Sequence, residues 1–149
     1  MDMKTIHTTL KYIKVISIVM FSFYAFTPFI NGLGCDFKTE ARYDQITYLN
    51  SCKFGQVKSL GWNKKTGEKI YYSGILAKKN NDIIFFVLES KELSKPILLN
   101  EKDMVNISIT DASIFSAKQI HAKEYDLVMV RNPSFFIYKA NTVGKLGFW

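Results

Sequence analysis

Lys69 to Leu88 runs KIYYSGILAKKNNDIIFFVL. The first nine residues, through Ala77, are rich in β-branched and aromatic side chains, the composition of a strand. Lys78-Lys79-Asn80-Asn81-Asp82 then puts five polar residues in succession, and Ile83 to Leu88 is an unbroken apolar run. Six apolar residues bounded by turn formers predict a strand covered on both faces, and the two strands together predict a hairpin. Gly74, inside the first strand, predicts a bulge or the close approach of another backbone.

The same rhythm continues in both directions. Towards the N-terminus, Val57 to Trp62 (VKSLGW) predicts a strand, and Asn63-Lys64-Lys65-Thr66-Gly67 a polar turn ending on a residue that tolerates positive φ. Towards the C-terminus, Glu89 to Pro96 reads as a charged loop, Ile97 to Leu99 as a short strand and Asn100 to Asp103 as a turn. Val105 to Thr110 alternates as a half-wet strand does. Leu127 to Val130, Phe135 to Tyr138 and Lys145 to Trp149 are further strand candidates. Two stretches are ambiguous. Asp36 to Ser51 fits a helix carrying Phe37, Ala41 and Leu49, or strands. Asp111 to Glu124 fits a helix capped by Asp111 and carrying Ile114, Ala117 and Ile120. Short strands joined by polar turns predict a mainly β fold. The expected form is a small antiparallel barrel (OB-like) or a sandwich, with at most one or two short helices.

The first 34 residues differ in kind. Lys4, Lys11 and Lys14 precede an uncharged run from Val15 to Ile30, and the small residues Gly32 and Gly34 follow. That is the layout of a secretory signal, with cleavage expected after Gly34. Sixteen apolar-leaning residues fall short of the ~20 that span a bilayer as a helix, and Pro28 is expected to break the last turn. The expected division is therefore 1–34 as a cleaved signal peptide and 35–149 as one small β-rich domain. The alternative is an anchor through residues 15–30. Gly32-Leu33-Gly34-Cys35 also resembles a bacterial lipoprotein box, although Gly32 stands where that box usually has Leu. Lipid on Cys35 competes with a disulfide to Cys52, the only other cysteine. An even count in an exported chain favours the disulfide.

Three of the 20 basic residues and one of the 13 acidic ones lie in the signal, which leaves 17 against 12. The lysines are scattered, unlike those of a phosphate-binding groove, so no nucleic-acid partner is expected. Neither a glycine-rich nucleotide loop nor a Gly-x-Ser-x-Gly elbow occurs. His121 is the one histidine after the signal. Near Glu124 and Asp126 it has the makings of a general base, but the sequence offers it no identifiable nucleophile. A zinc site needs three or four N or S ligands, so no metal and no cofactor are expected.

What stands out is Trp62 with Tyr71 and Tyr72, among Lys64, Lys65 and Lys69. Trp and Tyr give much contact area for little lost entropy, the composition of a recognition surface. Tyr71 and Tyr72 are adjacent, so on a strand they point to opposite faces. The terminal Phe148-Trp149 is similar to the end of an outer-membrane barrel, but the candidate strands look too few and too short to span one. The function expected is an exported, non-enzymatic protein-binding module of the bacterial cell envelope, of inhibitor, immunity or assembly-accessory type. Its partner would be an envelope protein, and its place the periplasm or the medium. The alternatives are a secreted effector or toxin subunit, and an envelope hydrolase using His121.

Overall fold

The structure, a computed structural model, describes residues 3–95 and 112–149. An N-terminal helix α1 (Met3–Leu33) leads into eight strands: β1 (Asp36–Tyr43), β2 (Ile46–Lys53), β3 (Gln56–Asn63), β4 (Lys69–Lys79), β5 (Asp82–Ser94), β6 (Ile114–His121), β7 (Asp126–Asn132) and β8 (Phe136–Lys145). Each strand pairs antiparallel with the next, and β8 returns to pair with β1, closing an up-and-down barrel. Closure removes both raw edges a sheet of this size would otherwise expose.

The hairpin read from Lys69 to Leu88 is β4–β5, and its register slips between Ser73 and Gly74. A Cβ at position 74 would run into the Phe86 carbonyl, so Gly74 serves both of the purposes expected of it. Three assignments are corrected. Lys145 to Trp149 is not a strand, because β8 ends at Lys145 and the N–H groups of Phe148 and Trp149 bond to Asn31. Glu89 to Ser94 continues β5 as strand, because its residues pair with Lys69 to Ser73 of β4. Ile114 to His121 is strand β6 and not part of a helix, because Ile114 to Lys118 pair with β5 and Ser116 to His121 with β7. Pairing on both sides outweighs the weak helical periodicity of Ile114, Ala117 and Ile120. Asp36 to Ser51 resolves into β1 and most of β2. The strands expected at Ile97–Leu99 and Val105–Thr110 lie outside the described residues.

Period-two alternation sorts every strand into an inner and an outer face. Ala41, Ile46, Tyr48, Ile70, Tyr72, Val128, Val130 and Ala140 form one buried cluster. Cys35, Phe37, Cys52, Val57 and Leu76 form a second. Cys35 and Cys52 are joined by a disulfide, which leaves no free sulfur for a lipid. An oxidising compartment is where such a bond persists.

The outer face carries Lys38, Glu40, Arg42, Lys53 and Lys58 on β1 to β3. A barrel spanning a membrane has the opposite polarity, apolar outside and polar within. Eight strands are enough in number for such a barrel, so the difference lies in polarity and not in strand count.

Helix α1 is longer than expected. It runs through Pro28 to Leu33, and Leu10–Leu33, 24 residues that are apolar on average despite Lys11 and Lys14, is long enough to cross a bilayer. Pro28 cannot donate to the carbonyl of Tyr24, yet the last turn persists because the barrel holds it from outside.

Candidate functional site

The meander sends successive turns to alternate ends of the barrel. One end gathers the foot of α1, the β2–β3, β4–β5 and β6–β7 turns and the end of β8. The other end gathers the β1–β2, β3–β4 and β7–β8 turns.

At the helix end, Asn31 is the joint. Its side chain is 0% exposed. The amide Nδ2 donates to the carbonyls of Lys78 (3.1 Å) and Trp149 (3.0 Å), and Oδ1 accepts from the backbone N–H of Trp149 (3.0 Å). The Asn31 carbonyl accepts from Gly34 and Phe148. Gly32 lies against the Leu76 carbonyl, where any side chain would collide with backbone. Phe29 stacks on Phe86 of β5 with ring centroids 5.5 Å apart. The segment from Asn31 to Cys35 is thus built into the barrel. Around it stand exposed Phe54, Phe148 and Trp149 with Lys53, Lys78, Lys79 and Lys145. The Lys78 ammonium donates to the Trp149 oxygen at 2.6 Å, and burial holds it below the ordinary lysine range.

At the far end, β3 and β4 carry the aromatic and basic residues singled out in the sequence. Trp62 points outward and is 37% exposed. Its strand partner is Lys69, and the Lys69 and Lys64 ammonium groups lie 5.1 and 5.9 Å from its ring centroid. Tyr71 shares this outer face, two residues on from Lys69, and Lys65 is exposed in the turn. Tyr72 does not belong to the patch. It faces inward, 2% exposed, with its ring edge-on to Phe115 at 5.9 Å. The turn is rigid for its length: Asn63 Oδ1 accepts from the backbone N–H of Lys65 and Thr66. Lys91, opposite Tyr71 on β5, extends the basic face. Glu89 to Pro96 reads as a loop because it is polar almost throughout, and only its pairing with β4 places Lys91 on this face.

His121 Nδ1 lies 2.7 Å from Asp126 Oδ1, and Asp126 Oδ2 accepts from Gln119 at 2.7 Å. The carboxylate orients the imidazole as it would a general base. Glu124 is exposed in the turn beyond. Among the described residues, no hydroxyl or thiol is bonded to the His121 ring.

Inside, the barrel holds a cavity of about 150 Å³ that is partly open to solvent. Its walls include Phe37, Phe85, Phe115, Phe136, Tyr48 and Tyr138. Removal from bulk water pushes the Tyr138 phenol up to about 12.

No family model, curated protein or solved structure matches this chain.

Proposed function

We propose that this protein is a non-enzymatic binding module of the bacterial cell envelope, tethered by α1 and presenting the Trp62 face to an acidic surface of a partner protein. The observation that carries the reading is the position of Trp62. A large ring is held half-exposed between two ammonium groups, at the end of the barrel away from the helix. Rings of this kind, flanked by cations, are where interfaces concentrate their energy. Lys64, Lys69 and Lys91 give the face a positive field that favours an acidic partner, while nearby Arg42 is neutralised by Glu40 at 2.9 Å.

Tethering has its own support. A signal peptidase needs an extended, accessible chain around its cut, whereas Gly32 and Gly34 are buried and Asn31 is bonded on all sides. Exposed aromatic rings beside lysines at the foot of α1 match the composition of a bilayer interface. Retention of α1 replaces cleavage after Gly34 in this reading, and it disfavours a freely secreted effector.

Two measurements test the proposal. Intact-mass analysis and alkaline extraction of the expressed full chain should find residues 1–33 retained and the protein in the membrane pellet. A soluble form beginning at Cys35 would refute the tether. A photo-crosslinking residue at position 62 or 71 should give a discrete protein adduct in cells, and one at exposed Val143 of β8, towards the helix end of the barrel, should not. Equal yields at all three positions, or none, would refute the interface.

A further inference from the structure

The inner wall of the barrel is not uniformly apolar. Thr142 of β8, Thr39 of β1, Asn50 of β2, Ser59 of β3 and Tyr72 of β4 face inward at one level, each directly opposite the next in strand register. Adjacent members bond to one another. Thr39 Oγ1 donates to Thr142 Oγ1 at 3.2 Å, and Ser59 Oγ to Asn50 Oδ1 at 2.6 Å. Gln119 of β6 reaches the same level, with Nε2 3.4 Å from Thr142 Oγ1. A belt of hydroxyl and amide groups therefore crosses the middle of the barrel. It divides the two apolar clusters and borders the cavity they share.

Such a belt is costly in a core that is merely packed, where apolar residues of the same size would serve. Thr39, Asn50, Ser59 and Thr142 point inward yet are only half-buried, because the space beside them is not filled by other side chains, whereas Tyr72 and Gln119 are buried. A cavity of about 150 Å³ accepts a molecule the size of benzene. Eight-stranded barrels leave room for their own side chains or for one small ligand. None of the lining residues is Asp, Glu, Lys, Arg or His, so a charged guest would be buried without a counter-ion.

We propose that the barrel interior is a binding site for a small neutral amphiphile. Its guest is a single ring or short branched chain bearing one hydroxyl or amide, with that group on the belt and the apolar body against Phe85, Phe115 and Phe136. This site is separate from the Trp62 face, and neither proposal needs the other.

The test uses the full chain in detergent micelles, with p-cresol, toluene, benzoate and benzylamine as probes. Binding is read by isothermal calorimetry and by amide shifts in two-dimensional NMR spectra. p-Cresol should bind and perturb the amides of Thr39, Asn50 and Ser59. Toluene should bind about tenfold more weakly, the worth of one hydrogen bond of roughly 1.4 kcal/mol. The two charged probes should not bind. In the near-isosteric double variant Thr39→Val/Thr142→Val, the preference of p-cresol over toluene should shrink by about tenfold. Ala117→Leu, which fills the cavity, should abolish both. If Ala117→Leu does not fold, the valine variant still decides. No binding of p-cresol at millimolar concentration overturns the proposal. So does equal binding of charged and neutral probes, or a cresol preference unchanged in the valine variant.

Discussion

Tyr138 sits against the cavity with its ring 6.2 Å from that of Tyr48 and 5.8 Å from that of Phe136. Its phenol, pushed up to about 12 by desolvation, stays protonated where an unfolded tyrosine already ionises. The sign follows directly. Between pH 10 and 12 the unfolded chain holds fewer protons at this site than the folded one. Stability is therefore complete below pH 10 and falls as pH rises, by up to about 1.4 kcal/mol per unit. Urea unfolding at pH 9, 10.5 and 11.5 should show that slope, and Tyr138→Phe should flatten it relative to the parent. Trp62 is the opposite kind of aromatic. Because its ring faces out and is only partly covered, Trp62→Ala should lower unfolding free energy by about 1 kcal/mol, well short of the ~3–5 kcal/mol of a core aromatic. A melting curve that falls by many degrees would return the ring to a structural role. The sequence placed Tyr71 and Tyr72 on opposite faces by parity alone, and the barrel keeps them so. Which of the two faces outward could not be read, since parity is silent about where the core lies.

At the scale of elements, the β4–β5 hairpin was legible because pattern, turn chemistry and Gly74 all agree. β6 was not, because Ile114, Ala117 and Ile120 satisfy a helical spacing that only pairing with β5 and β7 overrules. The belt was likewise hidden. Thr39, Asn50, Ser59 and Thr142 are unremarkable polar residues in sequence, and only strand register sets them side by side. Helix α1 reads as a signal from its lysines and the uncharged run Val15 to Ile30, and the longer span Leu10–Leu33, which includes Lys11 and Lys14, also has the length of a membrane-crossing helix. The bonds of Asn31 make that element part of the fold. Asn31→Ala removes three side-chain hydrogen bonds at once and should lower stability by about 2–4 kcal/mol. The measurement is the unfolding midpoint of the full chain in detergent. A shift below about 0.5 kcal/mol would mean that α1 is only loosely attached.

Across the whole molecule, the Cys35–Cys52 bridge closes a loop with a sequence separation of 17 and fastens the base of α1 to β2. In the chain-entropy account a loop of that length is worth about 3 kcal/mol. Reduction, or the Cys35→Ser/Cys52→Ser pair, should lower the unfolding free energy by that order while leaving the strand content of the circular dichroism spectrum intact. Unchanged stability would show that the barrel closes equally well without it. Closure of the barrel also dictates when folding can finish. Asp36 lies opposite Lys145, the two ends of the β-rich part of the chain. Sequential hairpins can form as the polypeptide emerges, but the seam between β1 and β8 waits for the last of the eight strands, a contact of long range and the slowest kind. Until then the growing sheet has two unsatisfied borders on which a neighbouring nascent chain can add a strand. A protein anchored early by its hydrophobic leader would spend that interval held apart from its copies, each fixed at its own point on the bilayer.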